Sequence, residues 1–339
     1  MERKFLKILV EAASPSGFEF MALPVIREIA NQKGWTLETD NIGNIYLRKP
    51  SGQPKPKNTP KTVMVAAHLD EIGMILSAPG KSGLWHFEKL GGIDPKTLAG
   101  QKVRCYQDPL GNPGDYIPGV IGKKALHLET SKERENVPEL YEYTIDFGGI
   151  TGLKPGLPVV PEKQWTDLGQ DLFSAPGLDD KAGVWVALEV LDKVRVPKGT
   201  ELVCVLTTQE ETGLRGAKVA AQAVKPWLSI DIDVTHATDD GHEAKNYPFE
   251  YKIGSGPVLY YGPDNDYEVI SKLDSSKISH QTGAKRPGGT NTSAIQIWGS
   301  CKTVLVSIPQ RNMHTPVEIC SWRDLEGSAR IIIEYIEKL

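Results

Sequence analysis

Apolar residues fall into two regimes along this chain. In the outer thirds they gather into short unbroken runs separated by helix-like stretches, and in the middle they scatter among Gly and Pro. A first amphipathic helix is predicted to stop before Pro15-Ser16-Gly17, a strong turn signal. A second is predicted over about Ala22 to Gln32. Trp35 to Asp40 and Gly43 to Arg48 alternate around Asn41-Ile42-Gly43, which predicts a hairpin. Ser51 to Lys61, rich in Pro and Lys, predicts a loop. The continuous small-apolar run Val63 to Ala67 predicts a buried, parallel strand.

From about Leu76 to Pro161 helical periodicity is hard to find. Short strand candidates recur there instead: Trp85 to Phe87, Gln101 to Tyr106, Tyr116 to Ile121 and Leu140 to Ile145. A loop of such length is rare in a compact domain, so the segment predicts a small inserted β domain. The α/β pattern resumes near Trp165. Helices are predicted over Lys181 to Val194, Ala217 to Ala223, Ser293 to Trp298 and Leu325 to Leu339. Strands are predicted over Leu202 to Thr207, Ser229 to Val234 and Thr303 to Ile308. Strands alternating with helices imply an α/β fold, with a mostly parallel sheet and helices on both faces. The predicted organisation is a discontinuous α/β domain over residues 1–73 and 165–339, with the β insertion over 74–164.

Composition narrows the function classes. The 339 residues are enough for one large domain or two smaller ones. Charged residues make up 24% and mean hydropathy is -0.30, which fits a soluble protein. The net charge of -4 gives no general attraction to nucleic acid or to an anionic membrane. No apolar run approaches the roughly 20 residues that span a bilayer. The N-terminal apolar residues are broken by charges, unlike a signal peptide, so cytoplasm is the expected location. Cys105, Cys204, Cys301 and Cys320 are scattered and form no C-x-x-C pair; reduced thiols are expected.

Candidate chemistry lies where the strands end. His68-Leu69-Asp70 follows the first buried run, and Glu210-Glu211 follows Leu202 to Thr207. Asp179-Asp180-Lys181 opens a helix, Asp233 closes a short strand, and His314 follows the last strand. Taken singly, each has an ordinary explanation. His68 could be a core histidine, Asp179 an N-cap, and Glu210-Glu211 a solvated turn. Their shared rim weakens those explanations, because crowded carboxylates repel unless a cation lies among them. Two histidines plus carboxylates suit zinc or a similar divalent ion. Adjacent glutamates cannot reach one metal alike, which suggests that one binds metal and the other holds the attacking water. Asp70 is placed to accept from the far ring nitrogen of His68.

In order along the chain stand Ala67-His68-Leu69-Asp70-Glu71-Ile72-Gly73, Leu178-Asp179-Asp180-Lys181-Ala182-Gly183 and Gln209-Glu210-Glu211-Thr212-Gly213-Leu214-Arg215-Gly216-Ala217. Ile232-Asp233-Val234-Thr235 and His314-Thr315-Pro316-Val317-Glu318 follow. Together these runs resemble the metallo-aminopeptidases that assemble as tetrahedral dodecamers. Some of those are called glutamyl or deblocking aminopeptidases, and some have been labelled endoglucanases. The resemblance implies a zinc-peptidase-like catalytic domain with an inserted β-barrel or PDZ-like dimerisation domain. It implies two divalent ions per subunit, zinc or cobalt. Asp179 would bridge them, His68 and Asp233 would complete one site, and Glu211 and His314 the other. Glu210 would be the general base and Asp70 would orient His68. The implied substrates are peptides with a free N-terminus, and the implied assembly is a homododecamer built from dimers. Two departures lie outside this set. Asn291 stands where an acid is expected, near Gly288-Gly289, and Lys181 stands where arginine is common; the former bears on the substrate pocket. The alternatives are a metal-dependent deacylase or carboxypeptidase of the same architecture and, further off, a glycosidase.

Overall fold

The computed structural model describes residues 1–50, 61–112, 114–239, 241 and 250–339. The loop expected over Ser51 to Lys61 therefore lies almost wholly outside the described residues. In chain order the first elements are α1 (Lys4–Glu11), α2 (Leu23–Lys33), β1 (Thr36–Thr39), β2 (Ile45–Arg48) and β3 (Lys61–His68). β1 and β2 pair antiparallel as the hairpin pattern predicts. Six strands then close into a barrel: β4 (Gly73–Pro79), β5 (Trp85–Leu90), β6 (Lys102–Cys105), β7 (Ile117–Gly122), β8 (Thr144–Asp146) and β9 (Pro158–Pro161). A short helix, α3 (Ser131–Glu135), interrupts them behind a capping box of Thr130 and Glu133.

The second half brings β10 (Thr166–Gly169), β11 (Leu172–Ala175), α4 (Leu178–Lys193), β12 (Thr200–Thr207), α5 (Arg215–Val224) and β13 (Leu228–His236). After these come β14 (Val258–Tyr261), α6 (Tyr267–Asp274), β15 (Gln281–Ala284), α7 (Asn291–Gly299), β16 (Lys302–Gln310), β17 (Glu318–Ser321) and α8 (Trp322–Glu337). The main sheet has eight strands in the order β1-β2-β12-β3-β13-β16-β14-β15. Its centre, β12-β3-β13-β16, is parallel throughout. Antiparallel pairings flank that centre on both sides.

Alternation along β3 shows why two layers of helix are needed. Val63, Val65 and Ala67 pack with α4 and α8, while Met64 and Ala66 pack with α5 and α7. A strand buried on both faces must be apolar at every position, hence the unbroken run. The barrel has its own core of Met74, Leu76, Trp85, Phe87, Val103, Ile121, Ile145 and Val159.

The structure extends several predicted elements. β13 continues to His236, so Asp233 lies inside the strand and does not close it. α8 begins at Trp322, capped by Ser321, three residues ahead of the predicted start. Leu140 to Ile145 is mostly a tight turn, and only Thr144–Asp146 pairs as a strand. All four cysteines are free, and three of them are buried.

Candidate metal centre

The parallel register sets the rim. His68 ends β3 level with Thr207 at the end of β12. Asp179 sits in the first turn of α4 with φ -79° and ψ 102°, outside helical values, and its peptide bond to Asp180 is cis. His314, with φ +61°, lies in the turn between β16 and β17.

One carboxylate stands between two imidazoles. Asp179 Oδ1 lies 3.0 Å from His68 Nε2, and Asp179 Oδ2 lies 3.3 Å from His314 Nε2. Asp233 Oδ1 is 3.8 Å from His68 Nε2, and Glu211 Oε1 is 3.3 Å from His314 Nε2. The five residues thus form two half-shells that share Asp179. Asp180 also approaches His68 and Asp233 closely enough to count as a possible donor. Both of its oxygens already accept main-chain N–H groups, from His68 at 3.3 Å and Gly183 at 3.0 Å.

The carboxylates here are crowded enough to shift one another. Burial raises the Glu210 carboxyl to about 9, with the charges of Asp233, Glu211 and Asp179 adding and His68 opposing. Burial likewise pushes Asp233 up to about 7 and raises Glu211. The histidines move the other way. Hydrogen bonds to Asp179 and Glu211 carry His314 up to about 11 against its burial. Burial disfavours a charged His68, but Asp179 and Asp70 outweigh it and raise its pKa well above the ordinary value. A proton on each imidazole would offset part of the carboxylate charge, as a positive ion would. The spacing fits that exchange. Tetrahedral zinc, with bonds of about 2.0–2.2 Å, separates its ligand atoms by roughly 3.3 Å. Divalent ions would return both histidines to the neutral form and pull the carboxylates back down.

Comparison with known proteins agrees with this geometry. The model of the M42 glutamyl aminopeptidase family matches residues 43–331. The chain belongs to that family. It is therefore an aminopeptidase, a peptide hydrolase, and its His/Asp/Glu cluster is that of a metallopeptidase. It is 27% identical to the lysyl aminopeptidase of Pyrococcus furiosus over 99% of this chain and 97% of that protein. A TET aminopeptidase of a Thaumarchaeota archaeon from marine sediment superposes with a TM-score of 0.87 at 27% identity, covering 99% of this chain and 96% of that one. The TET1 peptidase of Pyrococcus horikoshii, described as assembling into a tetrahedron or a large octahedral shell, gives 0.81 at 27% identity over 99% of both chains.

Around this M42 centre the supporting contacts are as specific as the ligands. His68 Nδ1 lies 3.0 Å from the Asp70 carbonyl and 3.5 Å from its Oδ1. The Asp70 carboxylate is occupied elsewhere, accepting from the Glu210 and Glu211 amides at 3.0 and 3.1 Å. His314 Nδ1 is 3.0 Å from the carbonyl of Gly92, in the barrel segment. A Cβ at Gly92 would sit 2.8 Å from that ring nitrogen, so only glycine allows the approach. An Nδ1–H donated to either carbonyl leaves each Nε2 facing the centre, the tautomer that a metal requires.

Sequence reasoning gave no role to Glu318. It is fully buried, and its two oxygens accept from the Asp179 amide at 3.1 Å and the His314 amide at 2.9 Å. Burial, with the charge of Asp179, raises its carboxyl well above the ordinary range. One side chain thus fixes the backbones of the shared carboxylate and of a histidine 135 positions away. Glu71 is equally hidden. It accepts from Lys163 and, at 3.0 Å, from Lys181, whose ammonium burial pushes down to about 7.

The two departures also find places. Lys181 reaches Glu71 and the Ala12 carbonyl, away from the ligand atoms. Asn291 is 1% exposed and donates to Thr207 Oγ1 at 2.9 Å. It therefore lies under the floor of the site, whereas Gly288 and Gly289 are exposed beyond it.

Proposed function

We propose that this protein removes N-terminal residues from peptides with two divalent ions, zinc or cobalt, held per subunit. Asp179 would bridge them, His68 and Asp233 would complete one site, and Glu211 and His314 the other. The observation that carries this is Asp179, with one oxygen on each imidazole. When bound, the ions would polarise the scissile carbonyl and acidify a water. Glu210 takes the proton from that water and delivers it to the departing amine. Asp70 braces both glutamates by their amides while its main chain orients His68. Peptides with a free N-terminus are the substrates under this reading. Named relatives include a lysyl enzyme and the family carries a glutamyl description, so a substrate panel has to span both charges.

The catalytic domain is read as residues 1–73 and 165–339, and the insertion over 74–164 as a dimerisation domain. A neighbour that forms a tetrahedron or an octahedral shell supports self-association, and we read the assembly as a homododecamer built from dimers, working in the cytoplasm. Among the described residues no helix is long and apolar enough to cross a membrane.

The test is hydrolysis of a panel of aminoacyl-p-nitroanilides, with and without chelator, and with zinc or cobalt restored. Cleavage lost to chelator and recovered with metal is the expected result. An N-acetylated panel should resist. Release of acetate from the blocked panel, with the free-amine panel untouched, would move the reading to a deacylase.

A further inference from the structure

Glu210 makes no side-chain hydrogen bond among the described residues; its amide is the group that is held. The aim of its carboxyl therefore depends on the backbone of the loop between β12 and α5. That backbone is gripped at three consecutive amides. Asp70 takes Glu210 and Glu211, and Glu19 Oε1 takes Gln209 at 2.8 Å. Gln209 has φ +54°, in the left-handed region that side chains disfavour. Something must hold it there.

Glu19 is built for that task. It stands in a one-turn 3-10 helix, is 3% exposed, and accepts a second amide, that of Gly17, at 2.9 Å. Both N–H groups converge on the same oxygen, Oε1, whose two lone pairs can accept both. The rest of its segment is pinned to the same rim. Ser14 Oγ donates to the Leu69 carbonyl at 2.7 Å, and Ser14 and Ser16 exchange backbone hydrogen bonds with Glu71. The hydroxyls of Ser16 and Thr212 meet at 2.9 Å, so the brace touches the glutamate loop at both ends. Residues 14–19 thus tie the strand end that carries His68 to the loop that carries Glu210.

We infer that Glu19 is a positioning residue for the hydrolysis, holding Gln209 left-handed so that the Glu210 carboxyl points at the attacking water. The inference rests on the reading of Glu210 as the base. It acts through geometry, so its loss should lower turnover more than binding. Misplacement of a reacting group by about 1 Å can cost on the order of a hundredfold.

The experiment compares wild type, Glu19→Ala, Glu19→Gln and Glu210→Gln, all loaded with metal. Steady-state kinetics, metal content and amide hydrogen exchange over residues 208–212 are measured together. For Glu19→Ala, kcat should fall about 10- to 100-fold, with KM within about twofold and metal content unchanged. Exchange in the loop should quicken. Glu19→Gln keeps the acceptor oxygen and should restore most of kcat and the protection. Should the alanine variant not fold, Glu19→Asp, one methylene short of Gln209, carries the same expectation. Unaltered kcat and exchange in Glu19→Ala, beside an inactive Glu210→Gln, overturns the proposal alone. So does a glutamine variant as damaged as the alanine one. A fully active Glu210→Gln overturns the underlying base assignment instead, and loop exchange still judges the clamp.

Discussion

The sheet rim and the barrel solve opposite problems within one chain. Between residues 74 and 161, among the described residues, the buried positions are apolar or aromatic, Gly and Pro aside, and the nearest to a hidden charge is Glu129, whose side chain is 6% exposed beside Lys123. The barrel hides mainly apolar groups, and several apolar side chains remain outside: Val120, Leu126, Leu128 and Tyr141 are 48–73% exposed. The α/β region does the reverse. It buries His68, Asp70, Glu71, Asp179, Asp180, Asp231, Asp233, Glu318 and Asp324. Burying charge costs free energy unless it is paired or hydrogen-bonded. A region that accepts so much of it is organised around chemistry, while the barrel is organised around packing. The two meet where the Gly92 carbonyl orients His314.

Mutations on each side should therefore fail differently. Glu210→Gln should lose about 10²- to 10⁴-fold in kcat, the usual range for a general acid–base, yet fold and bind metal normally. Steady-state kinetics beside metal analysis checks this; undiminished turnover would sink the base assignment. Phe87→Ala empties part of the barrel core, where Phe87 is 3% exposed. It should cost about 3–5 kcal/mol of stability, read by denaturant unfolding. If activity per folded molecule also collapsed, the separation between the two regions would be weaker than drawn.

A third test uses acidity. Burial pushes the Asp324 carboxyl up to about 7, against the hydrogen bonds from the Gly254 and Gly256 amides at 2.7 Å that lower it. In the unfolded chain the same group titrates near about 3.9. Its contribution is thus fully present below about pH 4 and is lost as pH rises through about 7, because the unfolded chain ionises first. Asp324→Asn should flatten that part of the decline. Melting temperatures from pH 4 to 8 check it. Equal slopes in variant and wild type would mean that Asp324 is ionised in the fold.

Much of the α/β region was legible because its strands must be apolar at every position. Val63 to Ala67 and Leu202 to Thr207 announce themselves, and the residues that follow them necessarily share a rim. The barrel was legible only as a change of texture. β9 is Pro-Val-Val-Pro, too short and too rich in proline to read as a strand. β4 begins at Gly73, where the His68 motif ends, so its pattern was absorbed into the motif. Glu318 and Glu19 were illegible for another reason. They act on backbone amides far away in sequence, and an isolated glutamate carries no sign of which amide it will meet.

The smallest stability effect belongs to the outside of the barrel. Leu128, 71% exposed, and Tyr141, 73% exposed, gain little from the fold of their own subunit. Leu128→Asp with Tyr141→Ser should change unfolding free energy by no more than about 0.5 kcal/mol, as surface substitutions generally do. If the barrel is the dimerisation domain, the same change should break the assembly, because one charge buried in an apolar contact is repeated in every copy. Light scattering on the variant reads this directly. Smaller particles with unchanged melting and intact cleavage of a short substrate would place contact on the barrel and chemistry on the rim. Unchanged particles would leave those side chains without a role in contact and move the interface elsewhere on the chain.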